Sequence, residues 1–425
     1  MRRTTKLSIL LILAFAFAGI LPLTAVRGQT PSFKDTDWPW WRGPGRDGIA
    51  SSNQKPPVKW SSGENIVWKT PIPGRGHGSV TVVGDQVFIA TADLDAQEQS
   101  VFCLDRDTGA VKWKFIAHDT GLLNEGNKKA SLASSTPACD GDRVFINFLN
   151  NRAIHTTALS REGKKLWQTK ITDYTIHQGF ATSPTVYESL VLVAADNKGT
   201  GAWAGLNRDS GQIVWKHARP KLPNYASPII YRIGGKDQLV FMGCKLVTSL
   251  SPLTGKVNWE KPGSTEETVS SIVTDGTHLF TSGGWPENHI AAMKADGSGK
   301  IAWKNGTRVY VPSMIVKGEH LFAVTDAGVA MCWVAATGEA LWKGRLGGTF
   351  SSSPVLVGDV FYAINEAGEC YLFKANPKEF ELVGKNKLGD EVFATPTIVG
   401  GRIYVRIAEH VNGKRQESVV CIGEK

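Results

Sequence analysis

Paired cysteine chemistry is missing from this chain of 425 residues. Its six cysteines (Cys103, Cys139, Cys244, Cys332, Cys370, Cys421) stand singly and far apart, with no vicinal pair and no Cys-x-x-Cys. That spacing excludes zinc-ribbon and thioredoxin-like motifs, and cysteines set in apolar runs such as Val101–Leu104 read as buried free thiols. No His-Glu-x-x-His and no recognisable Ser-His-Asp order is present. Lysine and arginine never form a run. Of the formal net charge of +9, Arg2, Arg3, Lys6 and Arg27 supply four charges where no acid occurs, so removing the first 28 residues lowers +9 to +5. A mildly basic surface of mixed sign excludes a nucleic-acid stripe.

After residue 28 no apolar run approaches the ~20 residues that a membrane-spanning helix needs. Before it, a basic start (Arg2, Arg3, Lys6) leads into the apolar stretch Leu7–Leu23, interrupted by Pro22 and followed by the small-residue site Val26-Arg27-Gly28. This is the pattern of a cleaved signal peptide over 1–28. Thr4-Thr5-Lys6 gives little support to twin-arginine export, and no cysteine near the cleavage site offers a lipid anchor. The expected location is exported, periplasmic or secreted, with no stable membrane span after cleavage.

What the chain does have is 45 glycines and 14 tryptophans. They recur together. Gly109 precedes Trp113, Gly163 precedes Trp167, and Gly211 precedes Trp215; Gly255 precedes Trp259, Gly299 precedes Trp303, and Gly338 precedes Trp342. The offset is four in every pair, while successive tryptophans, counted from Trp68, lie 39 to 54 residues apart. A fixed local offset with a variable long period marks one supersecondary unit with loops of differing length. Glycine supplies the positive φ of a tight hairpin turn, and the tryptophan follows on the returning strand.

Between tryptophans runs a Ser/Thr-Pro strand, a Gly-Asp type turn and a second apolar strand, as in Ser353–Phe361 and Thr136–Phe145. Each unit therefore reads as four antiparallel strands, the blade of a propeller. First strands begin near Ser79, Pro137, Pro184, Pro228, Ser271, Pro312, Pro354 and Pro396, which predicts an all-β, eight-bladed β-propeller. Seven blades would follow only if the degenerate unit, with a last strand around Phe380–Val383, were a long loop. Ile66–Lys69 comes before any first strand, and the unit from Thr395 to Ile422 stops short of its fourth. The N-terminal strand is thus expected to complete the last blade and close the ring, removing exposed edges.

The Ser/Thr-Pro strand, the Gly-Asp turn and Thr-Gly-x-x-x-Trp, over residues 66–422, resemble the PQQ-like repeat family of propellers. That family includes pyrroloquinoline quinone (PQQ) dehydrogenases and the BamB-like barrel-assembly propellers of bacterial outer membranes. The resemblance implies a blade-docking role for Gly109 with Trp113, Gly163 with Trp167, Gly211 with Trp215, Gly255 with Trp259, Gly299 with Trp303 and Gly338 with Trp342, with Trp68 at the closure. Trp38–Gly48, an aromatic Gly/Pro-rich stretch, resembles the leader of exported propellers of this class. Residues 29–59 are accordingly expected to form an arm packed across the underside near the closure, and 60–425 the propeller.

Gly43-Pro44-Gly45-Arg46-Asp47-Gly48 matches Gly-x-Gly-x-x-Gly only formally, since no strand precedes it and no helix follows. The sequon Asn305-Gly306-Thr307 is discounted in a chain that reads as bacterial. Redox relatives of the resembled family carry the quinone over calcium, often beneath a vicinal disulfide, with an aspartate base. This chain has no such cysteine pair, and no calcium-ligand set can be mapped on it. Residues leading into the first strands are hydroxylic, aromatic or small: Ser134-Ser135, Ser270-Ser271, Tyr310, Phe350–Ser352 and Phe393–Thr395. His77, His177, Arg75 and Arg406 are the candidates for a polar channel mouth, with inter-blade hydrogen bonding as their plainer role. No catalytic or metal-ligating residue is predicted, and no cofactor; PQQ with calcium belongs only to the alternative. The resulting expectation is a non-catalytic envelope scaffold, a monomer by itself, that engages envelope proteins and no nucleic acid. A quinone-dependent alcohol or polyol dehydrogenase is the second reading, and a glycan-binding propeller the third.

Overall fold

A computed structural model describes residues 31–424, and the signal peptide expected over 1–28 lies outside them. The described residues form eight sheets, each built on four antiparallel strands, and contain no helix. The sheets are the blades: 81–118, 138–173, 185–218, 229–262, 273–305, 315–345, 355–387 and 397–422, numbered one to eight. The chain is an eight-bladed β-propeller. Blade eight takes its fourth strand from the N-terminal side, where Ile66–Ile72 pairs antiparallel with Lys414–Ile422. First and last parts of the chain thus share one sheet, and the ring is closed.

The inner strands are buried almost throughout, as in Gln86–Asp93 and Arg143–Asn150, while each outer strand alternates in exposure, as in Val111–His118. This is the two-residue period of a strand with one covered face. The cores are therefore interleaved between blades. Phe88, Cys103 and Val101 of blade one, for example, share a cluster with Val144, Ile146 and Leu159 of blade two.

Each motif tryptophan has a small residue opposite it on the third strand: Cys103 faces Trp113, Ala158 faces Trp167, Gly205 faces Trp215 and Cys332 faces Trp342. Cys421 faces Trp68 likewise. Three of the six cysteines are thereby explained as small spacers beside an indole. All six are free and buried. Burial pushes Cys103 and Cys421 up to about 12, so neither is a thiolate nucleophile.

The indole reaches the next blade. Trp68 Nε1 donates to Arg106 O at 3.0 Å, Trp113 to Arg161 O at 2.8 Å, and Trp167 to Arg208 O at 3.1 Å. Its ring covers the turn glycine of that blade. A Cβ at Gly109 would lie 2.5 Å from the ring of Trp68, and one at Gly211 would lie 2.5 Å from Trp167. Gly163, Gly255 and Gly338 stand likewise under Trp113, Trp215 and Trp303. The glycine of each pair thus meets the tryptophan of the preceding unit. One position differs: Gly297, not Gly299, lies under Trp259, and Gly299 faces the stem of Lys261.

The seventh unit departs from the pattern. Its fourth strand is Leu382–Lys387, slightly later than the expected Phe380–Val383, because Phe380 turns back onto Trp342 of blade six at 5.6 Å. Gly384 occupies the register position opposite Leu372 where the other blades carry tryptophan.

Candidate functional site

The segment ahead of the closing strand crosses the axis of the ring. Trp38 bridges to Val82 of blade one, and Pro39 O accepts from Cys139 N of blade two at 2.7 Å. Arg46 Nη2 donates to Val186 O of blade three at 2.6 Å, and Arg42 Nη2 to Met314 O near blade six at 2.7 Å. Ile49–Ala50 then adds a parallel strand to Val355–Val357 of blade seven. Two local devices fold this arm. Gly43, at φ 78°, lies under the ring of Trp38, and the Arg46 guanidinium stacks 4.1 Å over Trp40.

A belt of hydroxyls lies around the axis. At six of the eight joints the backbone N–H of the Ser or Thr ahead of a first strand donates to the hydroxyl of its counterpart in the next blade. Ser79 donates to Thr136, Thr136 to Ser183 and Ser183 to Ser227, each at 3.0 Å. Ser271 donates to Ser313, Ser313 to Ser353 and Ser353 to Thr395, each at 2.9 Å. At the gap between Ser227 and Ser271 the arm enters: Trp41 Nε1 donates to Ser271 Oγ at 2.9 Å. The Ser/Thr of the repeat signature is the inter-blade fastener at the axis.

Trp41 also lines an axial cavity of about 470 Å³ to which all eight inter-blade connections contribute. The arm closes one end of the channel; the cavity faces the other. Its wall is largely aromatic and hydroxylic, including Phe180, Tyr225, Tyr310, Phe350 and Phe393 beside Ser134 and Ser351. Four formal charges reach it: Lys129, Arg308, Asp326 and Glu366. Glu366 accepts from Ser351 Oγ at 2.7 Å and from Lys129 Nζ at 2.8 Å. Asp326 accepts the backbone N–H groups of Tyr310 and Val311 at 2.8 and 3.2 Å. Arg308 Nη1 donates to Gly284 O at 2.7 Å.

The four mouth candidates separate. His77 lies on the cavity wall, stacked on Phe393 at 4.4 Å, with its buried Nε2 unpartnered among the described residues. Burial and the nearby cations Arg75, Arg406 and Arg415 push this imidazole well below its usual value, so it is neutral. Arg75 sits just behind, donating to Lys129 O at 3.0 Å. Arg406 does not line the cavity. It is buried against Glu417 and donates to Ala90 O at 2.6 Å, tying blade eight to blade one. His177 stands at another part of the rim, 3.0 Å from Glu267, whose second oxygen accepts from Tyr310 at 3.3 Å.

Sequence reasoning placed Ser134, Tyr310, Phe350 and Phe393 near the axis but missed Trp41, Glu366 and Trp285. Trp285 is 57% exposed, in the turn between His278–Gly284 and Asn288–Lys294. The available signal was that Trp285 fits neither the repeat spacing nor the arm.

A family profile described as "Outer membrane protein assembly factor BamB" matches residues 52–178, 97–284 and 286–378. A polyvinylalcohol dehydrogenase of Pseudomonas sp is 25% identical over 45% of this chain and 30% of its own length, so the chain spans under a third of that relative. The outer membrane protein assembly factor BamB of Moranella endobia is 22% identical over 77% of this chain and 81% of its own. Among solved structures, a quinohemoprotein alcohol dehydrogenase from Comamonas testosteroni superimposes with a TM-score of 0.66 at 12% identity, covering 92% of this chain and 81% of its own. At that identity the likeness concerns the fold alone.

Proposed function

The chain belongs to the family described as outer membrane protein assembly factor BamB, and we propose on that basis that it is a non-catalytic binding propeller of the cell envelope. It engages protein partners through the loops around its open face. A rigid ring suits this role because it holds many loops on one side. The observation that carries the reading is the state of the ionisable groups on the axial wall. Glu366 is paired with Lys129, Asp326 accepts two backbone amides, and Arg308 donates to a backbone carbonyl. A general acid–base pair needs groups free to exchange protons with a substrate, and these are committed to holding loops.

The quinone reading fits less well. The cofactor carries three carboxylates, whereas the wall offers two cations already matched by two anions. A calcium ion wants six to eight converging oxygen ligands, and no group of three His, Cys, Asp or Glu side chains among the described residues is placed to hold a metal. The cysteines lie too far apart in sequence for a vicinal disulfide.

Crosslinked affinity purification from native envelopes tests the proposal. It predicts reproducible envelope-protein partners and no quinone absorbance in the purified protein. A chain that is captured alone, or that takes up PQQ at micromolar concentration and reduces dye with calcium, overturns it. Export, expected from residues 1–28, is checked by fractionation in the same preparation.

A further inference from the structure

The axial cavity and the rim beside it share a chemistry that the scaffold role does not use. The cavity has no net charge to offer, since Lys129 and Arg308 are balanced by Asp326 and Glu366 and His77 is neutral. Moving an ionic ligand into such a site costs desolvation with nothing to offset it. The wall instead combines aromatic rings with hydroxyls, and a hydroxyl both donates and accepts.

Trp285 extends this surface outward. Two contacts hold its turn against the mouth: Glu267 N donates to Trp285 O at 3.3 Å, and Arg308 Nη1 donates to Gly284 O. Arg308 and Tyr310, which line the cavity, also pack against Gly284, where a Cβ would lie 2.6 Å from that of Tyr310. A tryptophan left 57% exposed forgoes the stabilisation of burial, and its turn stands beside Arg308 and Tyr310 of the cavity wall. The matching ligand has apolar ring faces, a hydroxyl-rich edge, no charge, and enough length to reach from the cavity to the rim. Saccharide rings have this form: their C–H faces suit the negative face of an aromatic ring, and their hydroxyls pair with Ser134 and Ser351.

We infer that the axial cavity binds the end of a neutral oligosaccharide, with the terminal ring against Trp41 inside and the following rings against Trp285. This goes beyond the scaffold role and does not rest on it.

Calorimetric titration of the purified chain with maltohexaose, cellohexaose, xylohexaose and chitohexaose, beside the charged hexagalacturonate, tests the inference. At least one neutral probe is expected to bind and hexagalacturonate is not. Trp285→Ala, at an exposed turn, is expected to weaken binding about tenfold. Ala130→Trp, on the loop at the cavity mouth, is expected to abolish it, and an unchanged melting transition shows that each variant is folded. The inference is overturned if no neutral probe binds, if hexagalacturonate binds as tightly, or if both folded variants bind like the parent. None of these outcomes bears on capture of envelope proteins, so the two readings fail separately.

Discussion

The joints between blades are built in two ways. From the closure round to the joint between blades five and six, a tryptophan on the outer strand covers a turn glycine of the following blade, as Trp68 covers Gly109 and Trp167 covers Gly211. Trp342 of blade six reaches the glycine-free turn of blade seven by donating to Asn376 O. Between blades seven and eight the outer strand has Gly384 at the tryptophan position, and the indole comes from Trp60, in the segment ahead of the closing strand. Trp60 stacks on Tyr362 of blade seven at 6.3 Å, where Trp167 meets Phe145 at 5.9 Å and Trp303 meets Phe280 at 6.1 Å. Asn386 fixes it, accepting from Trp60 N and donating to Val58 O, each at 3.0 Å. One joint thus depends on a residue more than three hundred positions away. The arm that closes the channel is keyed into the ring at the joint where the repeat fails.

Breaking the closure should have the largest effect. Deleting residues 60–72 removes both Trp60 and the fourth strand of blade eight. We expect loss of the single cooperative unfolding transition, with hydrogen exchange fastest in blades seven and eight. A regular joint comes next: Trp167→Ala should cost about 3–5 kcal/mol by denaturant titration, as buried aromatic truncations do.

Gly211→Ala is expected to cost about 2–4 kcal/mol, because a Cβ there meets both a φ of 72° and the Trp167 ring. Ala at Gly384, which has no contact closer than 3.6 Å, should be tolerated.

The smallest effect is that of acid. Burial, with His155 alongside, pushes His118 down to about 4, and burial with Lys304 nearby does the same to His289. Both stay neutral in the fold while their unfolded forms take up protons below about pH 6.5. Stability is therefore full above pH 6.5 and falls progressively as pH drops toward 4. His118 faces His155 across the joint between blades one and two at 5.1 Å. A His118→Asn, His289→Asn variant should show a shallower acid-side fall in melting temperature than the parent.

Much of this was legible because the information is local and repeated. The Gly-to-Trp offset, the Ser/Thr-Pro strands and the order of the incomplete units specified eight blades and their closure. The Ser/Thr positions were visible as a signature, but their hydrogen-bonded belt was not, since each link joins residues about 40 to 57 apart. The Trp60–Gly384 exchange could not be read, because a missing tryptophan does not say where its replacement comes from. The cavity was half legible. Connector residues such as Phe393 could be placed from the repeat, whereas Trp41 and Trp285 lie in segments without periodicity.

The most direct test of this account is denaturant unfolding of Trp60→Ala beside Trp60→Ala with Gly384→Trp. If Trp60 serves the seventh joint, the single substitution loses about 3–5 kcal/mol, as Trp167→Ala does, and the indole restored at residue 384 recovers a substantial part of it. A single substitution within about 0.5 kcal/mol of the parent, or a double no more stable than the single, would contradict it.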